Sequence, residues 1–132
     1  MKMKLVKKLT VGALALGISL SAFGMNDASA ATFSGKISYQ PDSNLGVIGH
    51  DGKAMTVNDA AVDISRFYSI PKGRALFVKN NGNGKSATVY KWDSGNFASK
   101  GVVLDVFIPV YRDKLGGSLT AGYINSGTVT WY

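Results

Sequence analysis

From residue 33 onward, apolar and polar positions alternate in short runs separated by turn residues, a pattern that suits strands burying one face. Phe33–Tyr39 alternates in part, and Ala54–Val57 is a short β-rich run. Ala75–Lys79 and Ser86–Trp92 are rich in β-branched and aromatic residues, and Gly127–Trp131 alternates Thr and Val before the final aromatics. Asn80-Asn81-Gly82-Asn83-Gly84 separates two of these runs. Asn-Gly steps adopt the positive φ that tight hairpins require, so a hairpin is predicted there. Two segments read as helical. Asn58-Asp59 can cap a short turn through Arg66. Ile108–Leu115 can form another, with Pro109 near its start and Gly116-Gly117 ending it. The pattern predicts a mainly β protein with one or two short helices.

The N-terminal thirty residues follow different rules. Lys2, Lys4, Lys7 and Lys8 form a basic start, Val11–Gly24 an apolar middle, and Ala28-Ser29-Ala30 supplies small residues where a signal peptidase cuts. The apolar stretch is about fourteen residues, short of the roughly twenty that cross a bilayer as a helix. The expectation is a signal peptide over 1–30, removed on secretion, and a single domain over 31–132 with no membrane anchor after processing. About a hundred residues suffice for one domain and are too few for two. The chain has no cysteine, so no disulfide can staple that domain.

A faint internal echo runs through the domain. Gly52-Lys53-Ala54-Met55-Thr56-Val57 recurs as Gly84-Lys85-Ser86-Ala87-Thr88-Val89, and Val62-Asp63-Ile64 with Phe67-Tyr68 recurs as Leu104-Asp105-Val106 with Val110-Tyr111. The offsets are 32 residues for the first and 42 to 43 for the second, which excludes a tandem solenoid and suits two interleaved halves of one small barrel.

Charge narrows the partners. Residues 31–132 carry 11 Lys and Arg against 7 Asp, a net charge of +4. So modest an excess serves solubility or attraction to an anionic surface such as a bacterial wall. Three arginines, no basic run and an export signal argue against nucleic acid. Lys79, Lys85, Lys91 and Lys100 read as a solvated face, or as a line of charges beside a binding groove that can hold wall phosphate. His50, the one histidine, reads as a loop residue. Without Cys, Glu or a second His no metal site is expected, Asp42, Asp51 and Asp59 lack calcium-loop spacing, and no cofactor is called for. The domain has no Glu, so acid chemistry must come from Asp. Asp105 lies between Leu104 and Val106, where apolar neighbours can keep a carboxyl protonated; it can equally cap the next turn or pair with a lysine. Tyr39, Tyr90, Trp92, Phe97, Trp131 and Tyr132 offer aromatic planes for sugar rings, although each is also a core candidate. Trp92 is the foremost of them, since it adjoins Asp93.

Gly84–Val89, Trp92-Asp93, Gly101–Val106, Lys114-Leu115-Gly116 and Gly122-x-Ile124 leading into Thr128–Trp131 together resemble the double-psi β-barrel shared by expansins, barwin-like proteins and the rare lipoprotein A group. Gly35–Tyr39 resembles the opening strand, and residues 40–60 match loosely. The resemblance implies a six-stranded barrel with a surface groove that holds linear polysaccharide, with Asp105 and Asp93 as the family's two acids; the aromatic planes of Trp92, Tyr90, Tyr39 and Phe97 are the binding candidates for such a groove. One departure stands out: expansins place an aromatic hydroxyl two residues beyond the earlier acid, where this chain has Gly95. The implied function is a secreted, wall-associated monomer that binds or loosens a wall polysaccharide such as peptidoglycan without efficient hydrolysis. The alternatives are a lytic transglycosylase of the rare lipoprotein A type, with Asp105 as acid, and a secreted effector or defence-type protein related to barwin or cerato-platanin.

Overall fold

A computed structural model describes residues 29–132; the signal peptide expected over 1–30 lies almost wholly outside them. Six strands close on themselves: β1 (Ala31–Gln40), β2 (Asp59–Asp63), β3 (Ala75–Asn80), β4 (Ser86–Gly95), β5 (Val102–Phe107) and β6 (Tyr123–Trp131). Around the barrel they run β1-β5-β2-β4-β3-β6, with β6 pairing back onto β1. The β1–β5 and β2–β4 pairs are parallel and the other four antiparallel. This closed, mixed, six-stranded sheet is the double-psi β-barrel, and closure leaves no strand edge open to another chain.

The barrel interior follows the predicted alternation. Leu76 and Val78 on β3, Leu104 and Val106 on β5, Ile37 on β1 and Val129 on β6 are buried, while Phe77, Lys79 and Thr128 face outward. Burying each such aliphatic side chain contributes about 1.5–3 kcal/mol, the main stabilising term in a fold without disulfides. At the β1–β6 crossing Gly35 pairs with Gly127. A Cβ on Gly127 would overlap Ile37 Cδ1, and one on Gly35 would sit 2.5 Å from Val103 Cγ1. Gly127→Val is therefore expected to cost about 1–3 kcal/mol by overpacking, read as a lower midpoint in urea at unchanged slope.

The Asn80–Gly84 hairpin joins β3 to β4 as expected, with Gly84 at φ +79° and Gly84 N donating to Asn80 O at 2.8 Å. Pro109–Lys114 winds as one wide helical turn. Val110, Tyr111 and Leu115 from this segment are buried, and Asn80 Nδ2 donates to Leu115 O at 2.8 Å.

Three expectations need correction. Ala54–Val57 is not a strand; only the isolated Ile48–Ala54 bridge forms there. Asn58-Asp59 does not cap a helix: Asp59 opens β2, and its carboxylate accepts from Thr56 N at 2.7 Å and Lys53 Nζ at 2.5 Å. The helix is shorter, α1 (Ile64–Phe67), and Asp63 caps it by accepting from Ser65 N at 3.0 Å. Lys91 is not on a solvated face. It is 2 % exposed, with its ammonium paired to Asp51 at 3.0 Å and donating to Ile70 O at 2.8 Å.

The internal echo has a spatial counterpart. Val62 and Leu104 are register partners in the antiparallel β2–β5 pair, and each strand leads into a helical turn. The two Val/Leu-Asp units thus face each other across the centre of the barrel wall.

Candidate functional site

Strand register brings the two sequence-predicted acids together. Ala61 on β2 pairs with Asp93 on β4 and with Asp105 on β5. Residues opposite one another in a sheet project from the same face, so both carboxylates flank the small Ala61 side chain, with their Cα atoms about 9–10 Å apart by two strand spacings. Val62 next along β2 is core, which puts Ala61 and the acids on the outer face.

The acids differ in surroundings. Asp105 is half-buried and accepts a hydrogen bond from Ser38 Oγ at 2.7 Å, Ser38 being its register partner on β1. Burial pushes its carboxyl above the ordinary carboxylate value; the Ser38 hydrogen bond opposes this, and the nearby Asp93 charge adds to the rise. No lysine pairs with Asp105 among the described residues. Asp93 Oδ1 is taken by the backbone N–H of His50 at 2.9 Å. That loop is fixed by three further contacts: His50 Nδ1 with Ser94 Oγ at 2.7 Å, Asp51 N donating to Trp92 O at 3.0 Å, and the imidazole stacked on Phe67 at 4.0 Å between centroids.

Asp105 opens into a groove of about 500 Å³ whose other walls include Ser38, Tyr39, Phe97, Lys100 and Tyr123. Tyr39 is braced from behind: its ring packs on Tyr111 at 4.7 Å and its hydroxyl donates to Leu119 O at 2.9 Å. Lys36 lies 5.2 Å from the Tyr123 ring centre. Phe97 is held through its own backbone, since Asp63 Oδ1 accepts from Phe97 N at 2.9 Å and Ala98 N at 2.7 Å. A Cβ on Gly95 would fall 2.6 Å from Phe97 Cε2, so the space beside Gly95 is already filled by an aromatic ring from two residues further on.

The predicted residues therefore divide. Tyr39, Phe97 and Asp105 line the groove. Asp93 adjoins Asp105 across Ala61 but is outside the lining. Trp92 also lies outside it. The β2–β4 register skips a residue between Lys91 and Asp93, which breaks the alternation at Trp92; its ring rests on Gly73 with Lys53 Nζ 5.5 Å from the ring centre. Tyr90 is exposed on β4 opposite Ala75, again outside the groove. Ser38 and Tyr123 carry no candidate role in the sequence, and Lys100, read there as one of the solvated lysines, lines the groove; Ser38 follows the buried Ile37 on an alternating strand, the one local signal that it faces outward. Among the described residues no three His, Cys, Asp or Glu side chains gather into a metal-binding group.

Chemically, the groove offers aromatic faces for sugar C–H surfaces and a carboxyl that donates a proton or a hydrogen bond, with Lys100 on its rim. No protein-family model matches the chain, and no curated protein matches it in sequence. Solved structures of the same fold do match. The apo expansin of Clavibacter michiganensis aligns at TM-score 0.61 with 21% identity, covering 77% of this chain and 51% of that one. An aspartate-to-asparagine variant of that expansin, in complex with cellohexaose, aligns at TM-score 0.60 with 20% identity over the same shares. The chain spans about half the length of these structures and has an expansin-like double-psi β-barrel fold.

Proposed function

We propose that this is a secreted, expansin-like protein that binds a linear wall polysaccharide, peptidoglycan or a similar β-linked glycan, and loosens it without efficient hydrolysis. The observation that carries this reading is the open groove in which the half-buried Asp105, bonded to Ser38, lies between the aromatic walls Tyr39, Phe97 and Tyr123. Asp105 would hold a glycan hydroxyl by hydrogen bonds while the rings stack on the sugar faces, competing with glycan–glycan contacts. The cellohexaose complex of an expansin of the same fold supports a glycan as ligand. Export rests on the basic, apolar and small-residue succession over 1–30.

One observation favours a second reading. The raised Asp105 carboxyl suits a general acid, as a lytic transglycosylase of the rare lipoprotein A type would need. The test incubates residues 31–132 and the Asp105→Asn variant with purified peptidoglycan and with cellulose, assaying the pellet for protein and the supernatant for sugars. Pelleting without release, weakened about tenfold or more in the variant, is the expected result. Release of anhydro-sugars by the parent alone would replace the binding reading with the enzymatic one, and that release should fall as pH rises and Asp105 loses its proton. Asparagine keeps an acceptor for Ser38 and removes the burial cost of a charge, so the variant should fold at least as well.

A further inference from the structure

Beside the groove, across Ser94–Phe97, lies a second concavity of about 380 Å³ lined by His50, Asp51, Phe67, Tyr68, Lys72 and Lys91, with Ile70 and Pro71 also in its wall. The two hollows share one piece of chain: His50 is bonded to Asp93 and Ser94, while Asn96 and Phe97 line the groove. Three features mark the cleft as more than a surface irregularity.

First, Tyr68 is 79 % exposed yet held in place. Its ring meets Phe67 edge-on at 5.0 Å and His50 at 5.8 Å, standing at 85° and 87° to them. Those two rings are themselves parallel to within 6°. An aromatic braced in this way and still largely exposed costs little entropy on binding and suits the C–H face of a sugar ring. Second, the floor is rigid. Lys91 lies against the Phe67 ring at 3.6 Å and is satisfied by Asp51 and Ile70 O, so neither member of that pair is left as a free charge. Third, the free charge is positive. Lys72 sits in the turn closed by Arg74 N donating to Pro71 O at 3.1 Å and Gly73 N donating to Lys91 O at 2.8 Å, and it makes no ion pair among the described residues. Lys100 stands likewise on the rim of the groove. The acids lining the two hollows are Asp105, bonded to Ser38, and Asp51, paired with Lys91. Asp93 lies at the junction, bonded to the His50 N–H.

We propose that this cleft is a second sugar subsite, in which Tyr68 stacks on one ring of a carboxylate-bearing glycan continuing from the Asp105 groove and Lys72 meets that ring's carboxylate. The proposal rests on the glycan-binding reading of the groove and narrows it to an acidic chain. A lysine with no ion pair among the described residues, on the rim of each hollow, attracts such a polymer and gives a neutral one no advantage.

The test is calorimetric titration of residues 31–132 with hexagalacturonate and with cellohexaose at low salt, for the parent and the Tyr68→Ala, Lys72→Gln and Asp105→Asn variants. Tyr68 and Lys72 are exposed, so their variants should melt with the parent. Hexagalacturonate is expected to bind several-fold more tightly than cellohexaose. Tyr68→Ala should weaken both by about tenfold, and Lys72→Gln should weaken hexagalacturonate alone by about fivefold. Cellohexaose binding as tightly as hexagalacturonate would overturn the acidic preference. If Asp105→Asn loses binding while Tyr68→Ala and Lys72→Gln match the parent, the subsite is overturned and the groove reading stands. If the parent binds neither oligosaccharide, the groove reading falls and the subsite with it.

Discussion

Asp51→Ala is expected to destabilise the domain by about 3–5 kcal/mol, because it strands the buried Lys91 ammonium. The Lys91 side chain is 2 % exposed and that of Asp51 11 %. Around Nζ stand the Asp51 carboxylate at 3.0 Å, Ile70 O at 2.8 Å and the face of Phe67 at 3.6 Å. A carbonyl and a ring face supply partial charges only, so without Asp51 the cation has no counter-charge in a site from which water is largely excluded. Lys91→Met should also destabilise, since it strands the Asp51 carboxylate, whose Oδ2 is buried with no hydrogen bond among the described residues. The double variant Lys91→Met/Asp51→Asn should recover most of the loss, since replacing both partners removes the stranded charge. Urea unfolding of the three variants checks this. A loss under 1 kcal/mol for Asp51→Ala would show that water reaches Lys91.

The same pair shows where sequence reading stops. In the sequence Lys91 is one of several lysines in a polar-looking strand, and what buries it comes from residue 51, forty positions earlier. The β2 segment Asp59–Asp63 was read as a helix start because Asn58-Asp59 is a good cap, and nothing local reveals that a strand between two neighbours is covered on both faces. The hairpin at Asn80–Gly84 was legible because its chemistry is local, as was the alternation of β1, β3 and β6. The candidate site was legible to the same degree. Asp105 stands out through its apolar neighbours and the family resemblance, and Tyr39 and Phe97 through their aromatic planes, and all three line the groove; that Asp93 adjoins Asp105 across Ala61 depends on strand register. The Ser38–Asp105 hydrogen bond is not legible in the sequence, since it depends on a parallel β1–β5 register between partners 67 positions apart. Trp92 stands out in the sequence because it adjoins Asp93, but the skipped residue between Lys91 and Asp93 breaks the strand alternation at that point and its ring lies outside the groove.

Asp63, the counterpart of Asp105 in the internal echo, illustrates how one motif can serve two ends. Where Asp105 keeps a raised carboxyl in the groove, Asp63 is buried and accepts from Ser65 Oγ at 2.6 Å, Ser65 N at 3.0 Å, Phe97 N at 2.9 Å and Ala98 N at 2.7 Å. The Ser65 hydroxyl first, and the three backbone N–H groups after it, hold the carboxyl at about 2 against an ordinary value of 3.8. A carboxyl lowered on folding stabilises the native state once ionised, so its contribution is complete above the unfolded value and is lost as pH falls from about 4 toward 2. The gap corresponds to about 2 kcal/mol. Asp63→Ala should therefore cost about 2–3 kcal/mol near pH 7, counting the helix cap and the stranded N–H groups, and should flatten the fall in stability between pH 4 and 2. The loss should be local as well as global: amide exchange at Phe97 and Ala98, which carry one wall of the groove, should accelerate more than exchange at β3 or β6. Urea unfolding at pH 7, 4 and 2, with exchange at pH 7, provides the check. Parallel pH profiles for parent and variant would show that Asp63 does not carry the acid sensitivity, and unchanged exchange at Phe97 and Ala98 would show that the wall is held by other contacts.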